Sequence, residues 1–97
     1  MENPPQQKPL NVKAKDEVLE GRYANIAHIQ HTKEEFVLDF LSVFPPQGAL
    51  TARVIVSPGH FKRMIMAMQE NLNRYEQRFG VVQASDEPDS INGFPVK

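Results

Sequence analysis

The apolar positions of this chain change period at Ser57-Pro58. Before that point they alternate or run on, as in strands; after it they recur every three or four residues, as on one side of a helix. "LNVKA" (10–14) puts Leu10, Val12 and Ala14 on one face and Asn11 and Lys13 on the other, which predicts a half-buried edge strand. In "KDEVLEG" Asp16 is placed to cap a single helical turn and Gly21 to close it with positive φ. "RYANIAHIQH" (22–31) and "EFVLDFLSVF" (35–44) read as strands joined by the polar turn Thr32-Lys33-Glu34, a hairpin. "PPQG" (45–48) breaks the run, and "ALTARVIV" (49–56) reads as the next strand.

The hydrophobic sets also predict a register. Phe36, Leu38, Phe40 and Phe44 share one face of their strand, and Leu50, Ala52, Val54 and Val56 share one face of theirs. Placing both sets on the same side of the sheet requires an even-numbered pairing, such as Phe44 opposite Leu50, and leaves Val37, Asp39, Leu41 and Val43 on the far side with Thr51, Arg53 and Ile55. Asp39, alone in the most apolar strand, is then in reach of Arg53 for a cross-strand pair. A structural pair is the first reading of Asp39; a carboxylate that sets assembly geometry at a subunit junction is the second. A catalytic aspartate would need a second acid, base or metal nearby, and none is visible.

After the break, Ser57 suits an N-cap, Pro58 a first helical position and Gly80 the position after the last turn. The helix from Pro58 to Phe79 spans roughly 33 Å. Phe61, Met64, Ile65, Met68, Leu72, Tyr75 and Phe79 fall within about 100° of arc, the width of one core-facing side. The stripe reads first as packing against the phenylalanine-rich sheet face, and second, being rich in Met, as an adaptable binding groove. Met66 lies off it. Arg63, Arg74 and Arg78 occupy the outer sides, with Glu70 placed for an i, i+4 pair with Arg74. His60, Lys62 and Arg63 sit in the first turns, where the helix dipole disfavours positive charge. A bound anion or acidic partner is one reason for them; tolerance of a small cost is the other.

With one sheet face given to the helix, the partly apolar far face has no cover left in a chain of 97 residues. A domain of roughly 60 ordered residues also buries little surface. Both considerations predict a homodimer or higher oligomer.

Composition narrows the function classes. Net charge is -1, from 11 Lys+Arg and 12 Asp+Glu, which argues against a protein built mainly to coat nucleic acid or anionic lipid. A local basic patch remains open, with Arg22 and Arg53 adding to the helical arginines and Tyr23 as a stacking aromatic. The absence of Cys removes disulfides, thiolate metal sites and a cysteine nucleophile. His28 and His31 point to opposite faces of their strand and cannot share a metal ion. No phosphate-binding glycine loop or nucleophile elbow occurs, and no cofactor is expected. Met1-Glu2-Asn3-Pro4-Pro5 lacks the basic and apolar regions of a signal peptide, and no apolar run approaches the ~20 residues that span a bilayer. A soluble cytoplasmic protein is expected. Residues 1–9, rich in Pro and Gln, and 83–97, acidic with Asp86, Glu87 and Asp89, read as disordered tails around a single domain at 10–82. Ile91, Phe94 and Val96 are the apolar exceptions in the second tail.

The order of these motifs resembles a family of short bacterial and archaeal proteins classed as a domain of unknown function. Its members look like Y-S-N, then H-S-x-x-E-F-x-x-D-F, a proline loop, S-R-V-x-x-S-P-x-H-x-K-R-L and Y-E-x-x-F-G. The matching residues are Gly21, Tyr23, Asn25, His31, Glu35-Phe36, Asp39-Phe40, Arg53, Ser57-Pro58, His60, Lys62-Arg63, Tyr75-Glu76 and Phe79-Gly80. Leu19, Ala24 and Thr32 stand where the pattern has Ala, Ser and Ser. The resemblance covers residues 10–80; it supports the fold and the domain limits and brings no activity with it.

The combined expectation is an α+β domain with an antiparallel sheet of three or four strands packed by one long C-terminal helix, oligomeric. The expected function is a non-enzymatic homo-oligomeric binding or adaptor protein whose partners are itself and another protein. Asp39, Arg53, His60, Lys62, Arg63, Arg74 and Arg78 are its candidate binding or assembly residues. One alternative is a nucleic-acid-associated or transcription-linked accessory factor using the basic helix face. Another is a small chaperone-like, peptide-binding scaffold.

Overall fold

The computed structural model describes residues 8–86. The expectations for most of the two tails lie outside them. In chain order the elements are α1 (Asp16–Glu20), β1 (Ile26–His31), β2 (Phe36–Phe44), β3 (Gln47–Val56) and α2 (Pro58–Phe79). The three strands form an antiparallel meander in the order β1-β2-β3.

The β1–β2 turn holds itself together. Thr32 N–H donates to Glu35 O at 2.9 Å, and Thr32 Oγ1 accepts from the N–H groups of Glu34 and Glu35 at 3.2 Å each. This is the local hydroxyl-to-backbone bonding that makes Thr a turn residue. β1 is shorter than predicted because of Asn25. Its backbone N–H bonds Leu41 O at 2.9 Å, while its side-chain amide exchanges two 2.8 Å bonds with the N–H and C=O of Val43. The Asn25 side chain thus takes the place of a further strand residue opposite Val43.

The β2–β3 pairing keeps the expected assignment of faces over one half, two residues off the expected pairing, and loses it over the other. Phe36, Leu38 and Phe40 face Val56, Val54 and Ala52, and Asp39 faces Arg53. A bulge then shifts the pairing, so that Leu41 faces Leu50 and Phe44 faces Gln47 rather than Leu50. Thr51, the extra residue, donates its hydroxyl proton to Phe40 O at 2.9 Å. A bulge moves every later residue to the other face, so Leu50 leaves the phenylalanine set. The turn is also tighter than predicted: Pro45 and Pro46 alone form it, joined by a cis peptide bond, and Gln47 and Gly48 already belong to β3. Gly48 pairs with Val43.

The sheet therefore has a phenylalanine face (Ile29, Phe36, Leu38, Phe40, Val54, Val56) and an aspartate face (Ile26, His28, Asp39, Leu41, Arg53, Ile55). Among the described residues, the buried apolar side chains are Ile26, Leu38 and Leu41.

Three further expectations are corrected. Residues 10–14 form no strand, and Leu10 and Val12 are exposed. Alternation marks a surface suited to pairing, but a strand exists only where an edge accepts it, and this segment meets none within the chain. Asp16 does not cap α1; Lys15 holds that position without a side-chain bond, whereas Gly21 takes φ +81° as expected. Most consequentially, the long helix does not cover the sheet. The Phe61 ring stacks on Phe36 at 4.0 Å, and Phe61 and Met64 are half-buried. Beyond them Ile65, Met68, Leu72, Tyr75 and Phe79 stay 42% to 64% exposed. The connection explains this: Ser57 alone joins β3 to α2, shorter than the usual ~2–6 residues. A one-residue link ties the helix direction to the strand end instead of letting it fold back.

Candidate functional site

Asp39 and Arg53 form the strongest polar contact of the aspartate face. Arg53 Nε donates to Asp39 Oδ1 at 2.6 Å and Nη2 to Oδ2 at 2.9 Å, the two-point geometry that suits a guanidinium to a carboxylate. Asp39 is buried and Arg53 about half-exposed, so one partner of the pair remains in touch with water. The Arg53 hydrogen bonds hold the Asp39 carboxyl below its usual range, against burial that pushes it up; the charges of Arg53 and His28 add to the lowering. Asp39 in turn raises Arg53. His28 sits directly across β1–β2 from Asp39. Among the described residues no three His, Asp or Glu side chains are grouped to hold a metal ion.

The candidates on α2 are positioned by the helix itself. Ser57 Oγ accepts from His60 N–H at 3.1 Å, and Ser57 O accepts from Phe61 N–H at 2.9 Å, which starts the helix as predicted. His60 Nδ1 and Arg63 Nη2 are 2.9 Å apart. Arg74 donates to Glu70 at 2.6 Å in the expected i, i+4 pair, with both side chains exposed. Arg78 lies over the Phe79 ring, 5.2 Å from its centroid. Among the described residues, Lys62, Arg63 and Arg78 join neither of the two ion pairs.

The seven candidates do not converge. Asp39 meets Arg53 and His60 meets Arg63, but the first pair lies on the aspartate face and the helix starts from the phenylalanine face through Phe61 and Phe36.

Other features have no place in the residue-by-residue expectations. A cleft of about 440 Å³ opens between α1 and the phenylalanine face; Val18, Phe40, Ala52 and Val54 line it, together with Glu17 and Arg22. Its signal in the sequence is faint, because α1 is one short turn and its position over the sheet is a tertiary fact. Glu76 is half-buried, and its carboxylate accepts from Val82 N–H at 2.9 Å while its carbonyl accepts from Gly80 N–H at the same distance. Together with Gly80 at φ +98° this fixes the exit from α2. Asn25 and Glu76 were both among the residues that carried the resemblance, which was the available signal for them.

The fold and these sites define a small α+β protein, a three-stranded antiparallel meander with a C-terminal helix. The chain belongs to the family described as "Protein of unknown function (DUF3467)", whose model matches residues 1–84. No match was found among curated proteins or among solved structures. No helix of the described residues is long and apolar enough to cross a membrane.

Proposed function

We propose that the chain acts as a non-enzymatic, homo-oligomeric binding or adaptor protein, assembled through the apolar stripe of α2 and presenting the basic sides of that helix outward. The observation that carries this reading is the exposure of Ile65, Met68, Leu72, Tyr75 and Phe79 on one well-formed helix, beside a buried apolar core of Ile26, Leu38 and Leu41. Exposed contiguous apolar surface of this kind marks an interaction site. Light scattering on the full chain over a range of concentrations tests it. A dimer or larger species is expected. Leu72→Glu is expected to weaken assembly at least tenfold, since a buried leucine contributes about 1.5–3 kcal/mol, while circular dichroism still reports the helix. A monomer at all concentrations refutes the reading.

A second reading is favoured by Lys62 and Arg63, which lie on the helix away from the apolar stripe, and by Arg78 at its edge over Phe79; none of the three joins an ion pair among the described residues. On that reading the assembled protein binds nucleic acid through phosphate contacts. Affinity would fall steeply with salt and be lost in the triple variant Arg63→Glu, Arg74→Glu, Arg78→Glu. Salt-insensitive or absent binding removes this alternative and leaves an acidic protein partner.

A further inference from the structure

The stripe of α2 is exposed, and a largely apolar cleft lies open beside α1. Resting on the self-assembly proposed above, we infer that the cleft of one copy receives the α2 stripe of a second copy. The exchange is reciprocal, with Leu72, Tyr75 and Phe79 as the inserted residues.

Shape, area and charge each support this. The cleft volume of about 440 Å³ lies in the roughly 300–1,000 Å³ range of clefts that bury a whole ligand, room for about two or three large side chains. Its walls are the apolar Val18, Phe40, Ala52 and Val54. The five exposed stripe residues are each about half-exposed, so at ~200 Å² per large side chain they offer about 500 Å². In a two-fold exchange each copy gives both a stripe and a cleft, about 600 Å² per copy, which is the lower end of specific interfaces. Pairing the two helices with each other would cover the stripes only. It would leave the cleft, and the exposed Val54 that lines it, in water.

The charges are complementary as well. Arg78 accompanies Phe79, its guanidinium over that ring, so Phe79 carries a positive charge to a cleft that Glu17 lines. Arg22 is the basic residue of the cleft. Glu76, on the opposite flank of the stripe from Arg78, matches it.

The chain contains no cysteine, so engineered thiols report without background. Val18→Cys and Tyr75→Cys, one of them carrying a mass tag, are mixed at a concentration where light scattering finds the assembly, and then oxidised. A disulfide between unlike copies, with neither variant linking to itself, is the expected result. Self-linking of Tyr75→Cys would mean that helices pair with each other, which leaves self-assembly standing and overturns the cleft as receptor. An assembled protein with no disulfide overturns it too. So does a Val18→Cys/Tyr75→Cys double variant that closes within one chain. A monomer throughout overturns both this inference and the assembly it rests on. Leu72→Cys replaces Tyr75→Cys if the latter fails to fold. Independently, Glu17→Arg is expected to weaken assembly about two- to fivefold, as for a rim ion pair. Combining it with Arg78→Glu is expected to restore the affinity, and failure to restore it counts against the proposed contact.

Discussion

The β2–β3 hairpin and helix α2 are the two longest regular stretches of the molecule, and they stand in opposite conditions. In the hairpin the backbone bonds and the burial arrive together. Each strand needs the other to satisfy its N–H and C=O groups, and that pairing brings Leu38, Asp39 and Leu41 out of water. In α2 the backbone satisfies itself. Ser57 caps the start, and Gly80 with Glu76 closes the end. Nothing in that self-sufficiency demands a neighbour, and six large apolar side chains, five of them on the stripe, remain in water. A helix can be complete as secondary structure while its tertiary contacts are still missing, because its hydrogen bonds are internal.

The contrast can be broken most strongly at two leucines. Leu38→Ala is expected to destabilise the fold by about 2–5 kcal/mol in a urea titration, the usual result of a large-to-small change in a core. The same truncation at Leu72, measured at a dilution where copies are separate, is expected to stay within about 0.5 kcal/mol of the parent protein. A loss that grows with protein concentration would place the value of Leu72 in assembly; an equal loss at all dilutions would mean that α2 packs within its own chain.

Acid sharpens the comparison next. The folded Asp39 carboxyl titrates below its unfolded value near 3.8. Its stabilisation is therefore complete above that value and is lost as pH falls through the lower folded one. Unfolding followed by tryptophan-free probes such as far-UV dichroism should show the sheet weakening in that window. Asp39→Asn should flatten this acid limb, with Arg53 left unpaired. An unchanged acid limb would separate Asp39 from sheet stability.

Smaller effects follow. Asn25→Ala is expected to cost about 1–3 kcal/mol, because it leaves both polar groups of Val43 without their partner. Ser57→Ala should cost about 1 kcal/mol, by removal of the cap, read as lower helicity in thermal melts. Glu70→Gln should change stability by less than about 0.5 kcal/mol, its pair with Arg74 being largely exposed and so screened by solvent.

Legibility followed the range of the interactions. The helix limits, with Ser57, Pro58 and Gly80, were readable because capping acts over a few residues. The Asp39–Arg53 pair was readable because strand alternation fixes parity over the half of the hairpin without irregularity. Past Phe40 the bulge at Thr51 inverted that parity, and no local signal announces one extra residue in a strand as apolar as its neighbours. "LNVKA" carried a strand pattern but no information about whether an edge would be there to receive it. The candidate site was legible residue by residue and not as a set. Its members were chosen by charge; alternation already put Asp39 and Phe36 on opposite sides, but only the tertiary structure shows that α2 starts against the Phe36 side.

From residue 15 on, the sequence by itself determined the kinds of element and their order, the apolar stripe of α2 and the residues at its ends, because each depends on contacts within a turn or a strand pair; residues 10–14 carried a strand pattern that no edge receives. Only the tertiary structure decided the register beyond the bulge, the role of Asn25 as a substitute strand residue and the cleft beneath α1. It also decided that α2 stands off the sheet. That last outcome depends on a single connecting residue, Ser57, which carries the direction of β3 into the helix and so leaves the longest hydrophobic face of the chain without cover from its own sheet.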